Sequence, residues 1–381
     1  MANLLGEYGA WASEIVGQTP GALSLRSGKF TEIADWRQQA RQRVWECLAA
    51  PPLSEPPAVS VTWSGNFGGL SVEKLRWQLP YGPPTEAVFL KPAGTPVHEK
   101  LPAILALHDH GGMKYFGWRK IAQVEKNVHP MISAHREDDY GGLAWANEIA
   151  QRGYAVLVPD TFAFGSRRVR IADVSAVIAR DVHDPGSDEK PEEIVAYNRW
   201  AASHEDIMAK GLFSAGTTWP GVTLREDQVA LSILCARPEV DAERVGCGGL
   251  SGGGLRTVYL AGLDDRIRCC FCAGFMTTWQ DFLLNKSHTH TWMTYTPLLP
   301  NDLDFPEILG LRAPKPTLVF HCTEDPLFTN SEVERSGQIL SEVYARTDTP
   351  EAFRISFYPG GHKLDFPMQA EAFAWLDHWL S

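Results

Sequence analysis

The chain has 381 residues, 44% of them hydrophobic and 21% charged, with a formal net charge of −11 at pH 7. These are the proportions of a globular protein with a substantial core, and the negative charge argues against nucleic acid and anionic membranes as partners. Among the seven cysteines, Cys235, Cys247, Cys269, Cys270, Cys272 and Cys322 lie in apolar runs and read as buried thiols kept reduced.

The first seven residues show no basic segment leading into an apolar one, and no apolar run reaches bilayer length, so a cytoplasmic location is expected. A secreted form with its signal removed would read the same. Residues 1–30 read as an irregular arm, and Ile33 to Leu48 carries apolar residues at helical spacing until prolines 51, 52, 56 and 57 stop it. From Ala58 the period changes to two: 59–63, 72–79 and 87–90 predict strands joined by short turns, an antiparallel edge.

Pro102 to Leu107 is a continuous apolar run, as for a strand buried on both faces, and ends in His108-Asp109-His110-Gly111-Gly112. After a loop rich in Lys, His and Arg come a helix over 143–150 and a strand over 155–158. Helix and strand then alternate, with helices at 223–236, after Ser251, at 331–346 and at 368–380, and strands at 244–248, 267–273, 317–321 and 353–358. This predicts an α/β fold: a mostly parallel sheet with helices on both faces and an antiparallel N-terminal edge. Residues 58–381 are expected to form a single domain, preceded by an arm and helix over 1–57. An insertion at about 165–220, with a helix around 194–210, interrupts the rhythm, and such insertions commonly serve as lids or binding walls.

Gly249-Leu250-Ser251-Gly252-Gly253 fits G-x-S-x-G, the tight strand-to-helix turn that exposes a serine hydroxyl above a parallel sheet. A serine needs a histidine base and a carboxylate to orient it, and in this architecture they follow the serine in the order acid, then histidine. Asp325, in the loop after the strand ending at His321, and His362, in the loop after the last strand, meet that order. Glu324 is the fallback acid. Gly252 N–H, with a second donor from His110 or Gly111, would form the oxyanion hole. The pairs His108/His110 and His288/His290 invite a metal reading, but neither comes with third and fourth ligands at fixed spacing, so no metal and no cofactor is expected. In the aromatic segment 288–297, Trp292 and Tyr295 are candidates for a substrate wall, and Lys114, Arg119, Arg167 and Arg168 for a cationic rim, with Arg167 a candidate substrate-binding residue.

Together His108–Gly112, Val158-Pro159-Asp160 with Phe164–Arg167, Val240-Asp241 with Arg244–Gly246, Cys322–Asp325 and Gly360-Gly361-His362 resemble the α/β-hydrolase superfamily, in particular its dienelactone hydrolase-like and acetyl xylan esterase-like branch, related to prolyl-oligopeptidase catalytic domains. The similarity runs from about residue 70 to the C-terminus. It implies a cofactor-free serine hydrolase acting on carboxylic esters, among them acylated carbohydrates, with Ser251 as nucleophile, Asp325 as acid, His362 as base, and His110 with Gly252 as oxyanion donors. In two places the chain departs from the pattern. Asp109 stands where a glycine often follows the loop histidine, and Ser251 stands where dienelactone hydrolases proper carry a cysteine. The alternatives are a peptidase or amidase of the prolyl-oligopeptidase type, and a hydrolase scaffold without catalysis that works as a binding protein.

Overall fold

In the computed structural model, which describes every residue except 1–2, 18–19, 53–54 and 97, the period-two segments form β1 (Val59–Phe67), β2 (Leu70–Trp77) and β3 (Thr85–Pro92). The apolar runs form β4 (Leu101–Ala106), β5 (Ala155–Pro159), β6 (Val240–Leu250), β7 (Ile267–Ala273), β8 (Thr317–Cys322) and β9 (Phe353–Tyr358). All nine join one sheet in the order β1-β2-β3-β5-β4-β6-β7-β8-β9. The pairs β1/β2, β2/β3 and β3/β5 are antiparallel, and every other pair is parallel.

Every residue of β5 and β8 is buried, because helices cover both faces of the parallel part. Alternate side chains part to opposite sides, as the strand pleat requires. Leu105, Cys247, Cys270 and Val319 meet the helices Ile33–Leu48, Trp219–Cys235, Gly252–Leu263 and Asn330–Ala345. Ile104, Ala106, Phe271 and Phe320 meet Trp145–Gln151 and Phe366–Leu380. The same alternation separates Cys269 from Cys272: their C-x-x-C spacing sits on a strand, so the two thiols point to opposite faces and cannot share a ligand. From β4 the chain crosses to β5 on one side and later to β6 on the other. The loops at the C-terminal ends of β4 and β6 therefore diverge and leave a crevice at this switch point. No helix among the described residues is long and apolar enough to cross a membrane.

Three stretches differ from expectation. The irregular arm contains a helix, Tyr8–Val16, whose Tyr8, Trp11 and Ile15 are exposed. The basic loop after β4 contains the helix Pro130–Tyr140, which has a proline in its first turn, the His129 ring accepting from Met131 N–H, and Gly141 closing it in the left-handed region. The insertion's expected single helix breaks at His204 into Pro191–Ser203 and Glu205–Ser214. Ile194, Tyr197 and Trp200 of the first pack with Tyr115, Phe116 and Ile132, giving the insertion and the loop after β4 a small core of their own.

Candidate active site

Ser251 occupies the turn between β6 and the helix Gly252–Leu263 with φ 57° and ψ −119°, a region that side-chain-bearing residues rarely enter. The crossing is tight. A methyl group on Gly253 would stand 2.1 Å from the Leu107 carbonyl oxygen, and one on Gly252 would stand 2.8 Å from His110 N, so only glycine lets the loop after β4 lie against the start of this helix. Gly252 N–H lies in the helix's first turn, where no intrahelical acceptor exists. Of the two residues proposed for the second oxyanion donor, His110 is the one whose backbone nitrogen meets Gly252. A methyl group on Gly111 would meet the Asp109 carboxylate and the His135 ring instead.

His362 and Asp325 come together as expected, with Nδ1 and Oδ2 2.6 Å apart. The other carboxylate oxygen of Asp325 accepts from Leu327 N–H at 2.9 Å. Burial pushes this carboxyl upward, but the hydrogen bond and charge of His362 outweigh it and hold Asp325 below the usual carboxylate range. The His362 ring lies over Gly274, and Ser251 N–H donates to the neighbouring Ala273 carbonyl, so the same two residues at the end of β7 support both. His362 Nε2 is buried with no protein partner among the described residues. Glu324 lies apart from this pair and accepts from Gly360 N–H at 3.3 Å.

Asp109, which departs from the glycine expected there, anchors the loop from beneath. It accepts from Tyr140 Oη at 2.5 Å and lies 3.3 Å from Lys120 Nζ and 3.1 Å from His135 Nε2. His135 Nδ1 faces Asp139 at 2.9 Å. Asp109, His135 and Asp139 could in shape hold a cation, but the buried Lys120 ammonium already neutralises Asp109 there. Burial acts to lower His135, but the charge and hydrogen bond of Asp109, with that of Asp139, raise it to about 9. A histidine raised above its unfolded value of 6.5 adds stability that is complete below that pH and is lost as pH climbs through about 9. His135→Gln is therefore expected to cost about 3 kcal/mol at pH 6. Urea unfolding of both proteins should show that cost shrinking steadily toward pH 9.5; a pH-independent difference would mean that the ring is neutral.

The other predicted residues scatter. The His108 ring is buried, its Nδ1 2.9 Å from the Asp109 carbonyl oxygen. His290 is enclosed by Phe275, Phe282 and Phe328, and burial lowers it to about 4, so it packs as a neutral ring. Tyr295 donates to the Ser287 carbonyl and, with Trp279 and Phe282, lines an apolar cavity of about 340 Å³. Trp292 is 38% exposed, its ring 6.1 Å from that of Tyr295.

Arg167 does not belong to a substrate rim. It is buried, 2.5 Å from Glu226 Oε1, and its terminal nitrogens also donate to the Tyr81 and Pro83 carbonyls, because a guanidinium tolerates burial when it is paired with a carboxylate. Arg119 and Arg168 do reach a polar cavity of about 280 Å³, shared with Arg76 and Arg170, but Arg119 is already paired with Glu189 at 2.6 Å.

Sequence reasoning missed Glu205. This buried carboxylate, at the start of the insertion's second helix, accepts from His110 Nε2 at 2.9 Å, Thr291 Oγ1 at 2.7 Å and Trp292 N–H at 3.0 Å, and lies 2.8 Å from Lys114 Nζ. Lys114 is thus removed from the rim as well, its ammonium held over the Phe164 and Trp219 rings. The available signal was weak: a carboxylate in the first turn of a helix, 95 residues from its histidine.

No model of a known protein family matches the chain. The protein named "Putative hydrolase YtaP" from Bacillus subtilis (strain 168) is 24% identical over 347 residues, covering 90% of this chain and all of its own length. Among solved structures, a "putative acetyl xylan esterase" from Bacteroides fragilis NCTC 9343 superposes with a TM-score of 0.69 at 18% identity, over 93% of this chain and 83% of its own. A glucuronoyl esterase from Solibacter usitatus superposes with a TM-score of 0.62 at 15% identity, over 96% of this chain and 98% of its own. With its strand order, its serine turn after β6 and this likeness, the chain has the α/β-hydrolase fold.

Proposed function

We propose that the protein is a serine carboxylesterase that works through an acyl-enzyme on Ser251. The observation that carries this reading is the His362–Asp325 pair, 2.6 Å apart, on loops that follow β8 and β9 at the sheet edge where β6 ends in the strained serine. His362 Nε2 takes the proton of the Ser251 hydroxyl as its oxygen attacks the ester carbonyl, and returns that proton to the departing alcohol. Asp325 fixes the ring with its proton on Nδ1 and stabilises the imidazolium. Gly252 N–H and His110 N–H receive the oxyanion, and a water activated by His362 then releases the acid.

Carbohydrate esters are the substrate class we favour. Structural neighbours bear the names acetyl xylan esterase, glucuronoyl esterase and methylesterase, and exposed aromatic surface at Trp292 stands ready for a sugar ring. The seven unpaired cysteines support a reducing compartment, the cytoplasm. Turnover should be measured on p-nitrophenyl acetate, an acetylated xylo-oligosaccharide, a methyl glucuronate and an aminoacyl p-nitroanilide, with fluorophosphonate labelling alongside. Hydrolysis of esters with the anilide untouched is expected. Anilide cleavage without ester cleavage would make the protein a peptidase or amidase, and failure of both turnover and labelling would make it a binding scaffold.

A further inference from the structure

We propose that Glu205 is a positioning residue that holds the His110 oxyanion donor in place, so that the insertion serves the site as a strut. The inference rests on the serine-hydrolase reading above.

Three hydrogen-bond donors and one ammonium converge on this one buried carboxylate. His110 Nε2 and Lys114 Nζ lie 2.9 and 2.8 Å from Oε1, and Thr291 Oγ1 and Trp292 N–H lie 2.7 and 3.0 Å from Oε2. Only an ionised carboxylate can accept at Oε1 from His110 beside the Lys114 ammonium and at Oε2 from two further donors, since a protonated acid or an amide turns one of those positions into a donor. Burial would favour the neutral acid, but the hydrogen bond from His110 and the Lys114 charge outweigh it and keep Glu205 ionised.

The consequence for His110 is rotational. Gly112 N–H donates to Nδ1 at 3.0 Å, so the ring carries its proton on Nε2 and gives it to Glu205. An imidazole held at both nitrogens cannot turn, and its own backbone N–H is the one that lies against Gly252. The same carboxylate binds the backbone of Trp292, so the oxyanion loop, the insertion and the aromatic segment share a single electrostatic joint. A mobile lid would not be fastened by a buried carboxylate to the loop that carries His110 and Lys114.

The test is a double-mutant cycle on kcat for p-nitrophenyl acetate. Glu205→Gln keeps the shape but points an NH2 at two donors, and kcat should fall about tenfold to a hundredfold, short of the loss of a whole oxyanion donor, with KM changing less than about threefold. In a His110→Ala background, where there is no ring to hold, the same substitution should change kcat less than about twofold. Equal losses in both backgrounds, or a change confined to KM, would overturn the proposal. Should Glu205→Gln not fold, Glu205→Asp carries the same cycle, keeping the charge and shortening the reach by one methylene. Fluorophosphonate labelling of the wild-type protein separates the two failures. If Ser251 does not react at all, the esterase reading falls; if it reacts and the cycle shows no coupling, only the role of Glu205 falls.

Discussion

Ser251→Ala is expected to lower kcat on p-nitrophenyl acetate by about a millionfold while leaving a folded protein. The size follows from the chemistry, because without the hydroxyl no acyl-enzyme can form, and the oxyanion donors and binding alone leave only about a thousandfold to ten-thousandfold of the acceleration over water. The structure predicts that the fold tolerates the change. Alanine meets the same backbone strain at φ 57° as serine, and the Ser251 amide keeps its 2.8 Å bond to Ala273. Stopped assays on purified protein, with mass spectrometry of the fluorophosphonate adduct, provide the check. Retention of either turnover or adduct would remove Ser251 from the mechanism.

Asp325→Asn should lower kcat by about ten-thousandfold, and the reason lies in the second oxygen of that carboxylate. Asp325 Oδ1 is taken by Leu327 N–H at 2.9 Å while Oδ2 meets His362 at 2.6 Å. An asparagine has one oxygen for the two places. If that oxygen stays on Leu327 N–H, the amide NH2 faces His362 Nδ1 and drives the ring proton to Nε2, the nitrogen that must be bare to accept from serine. Glu324→Gln is the internal control, since that side chain reaches Gly360 N–H and not the ring, and its kcat should stay within about twofold of wild type. Equal losses in the two variants would mean that the acid has been misassigned.

The parts of the fold that were legible in the sequence are those where one period dominates a long segment. The helix Ile33–Leu48 has the predicted bounds because its apolar face and the prolines behind it agree, and the fully apolar strands could only lie under helices on both sides. Pro130–Tyr140 was hidden by its charged residues, although a proline at its start and a glycine at its end marked it. In the site, the Asp325–His362 contact could be read because topology brings the ends of neighbouring parallel strands together. Glu205, Lys120 and Arg167 could not, because a charged residue reads as solvent-facing until the partner that makes its burial tolerable is known, and those partners lie far away in the chain or on backbone carbonyls.

The conformation of Ser251 also sets heat resistance against turnover. A side-chain-bearing residue in that region costs on the order of 1–3 kcal/mol, out of a net stability that for most proteins is about 5–15 kcal/mol. Glycine at the same position would relieve the strain and abolish the nucleophile in a single step. A laboratory selection for thermal survival alone would therefore drift toward an inert protein at this turn, and only continuous demand for the reaction keeps a serine there.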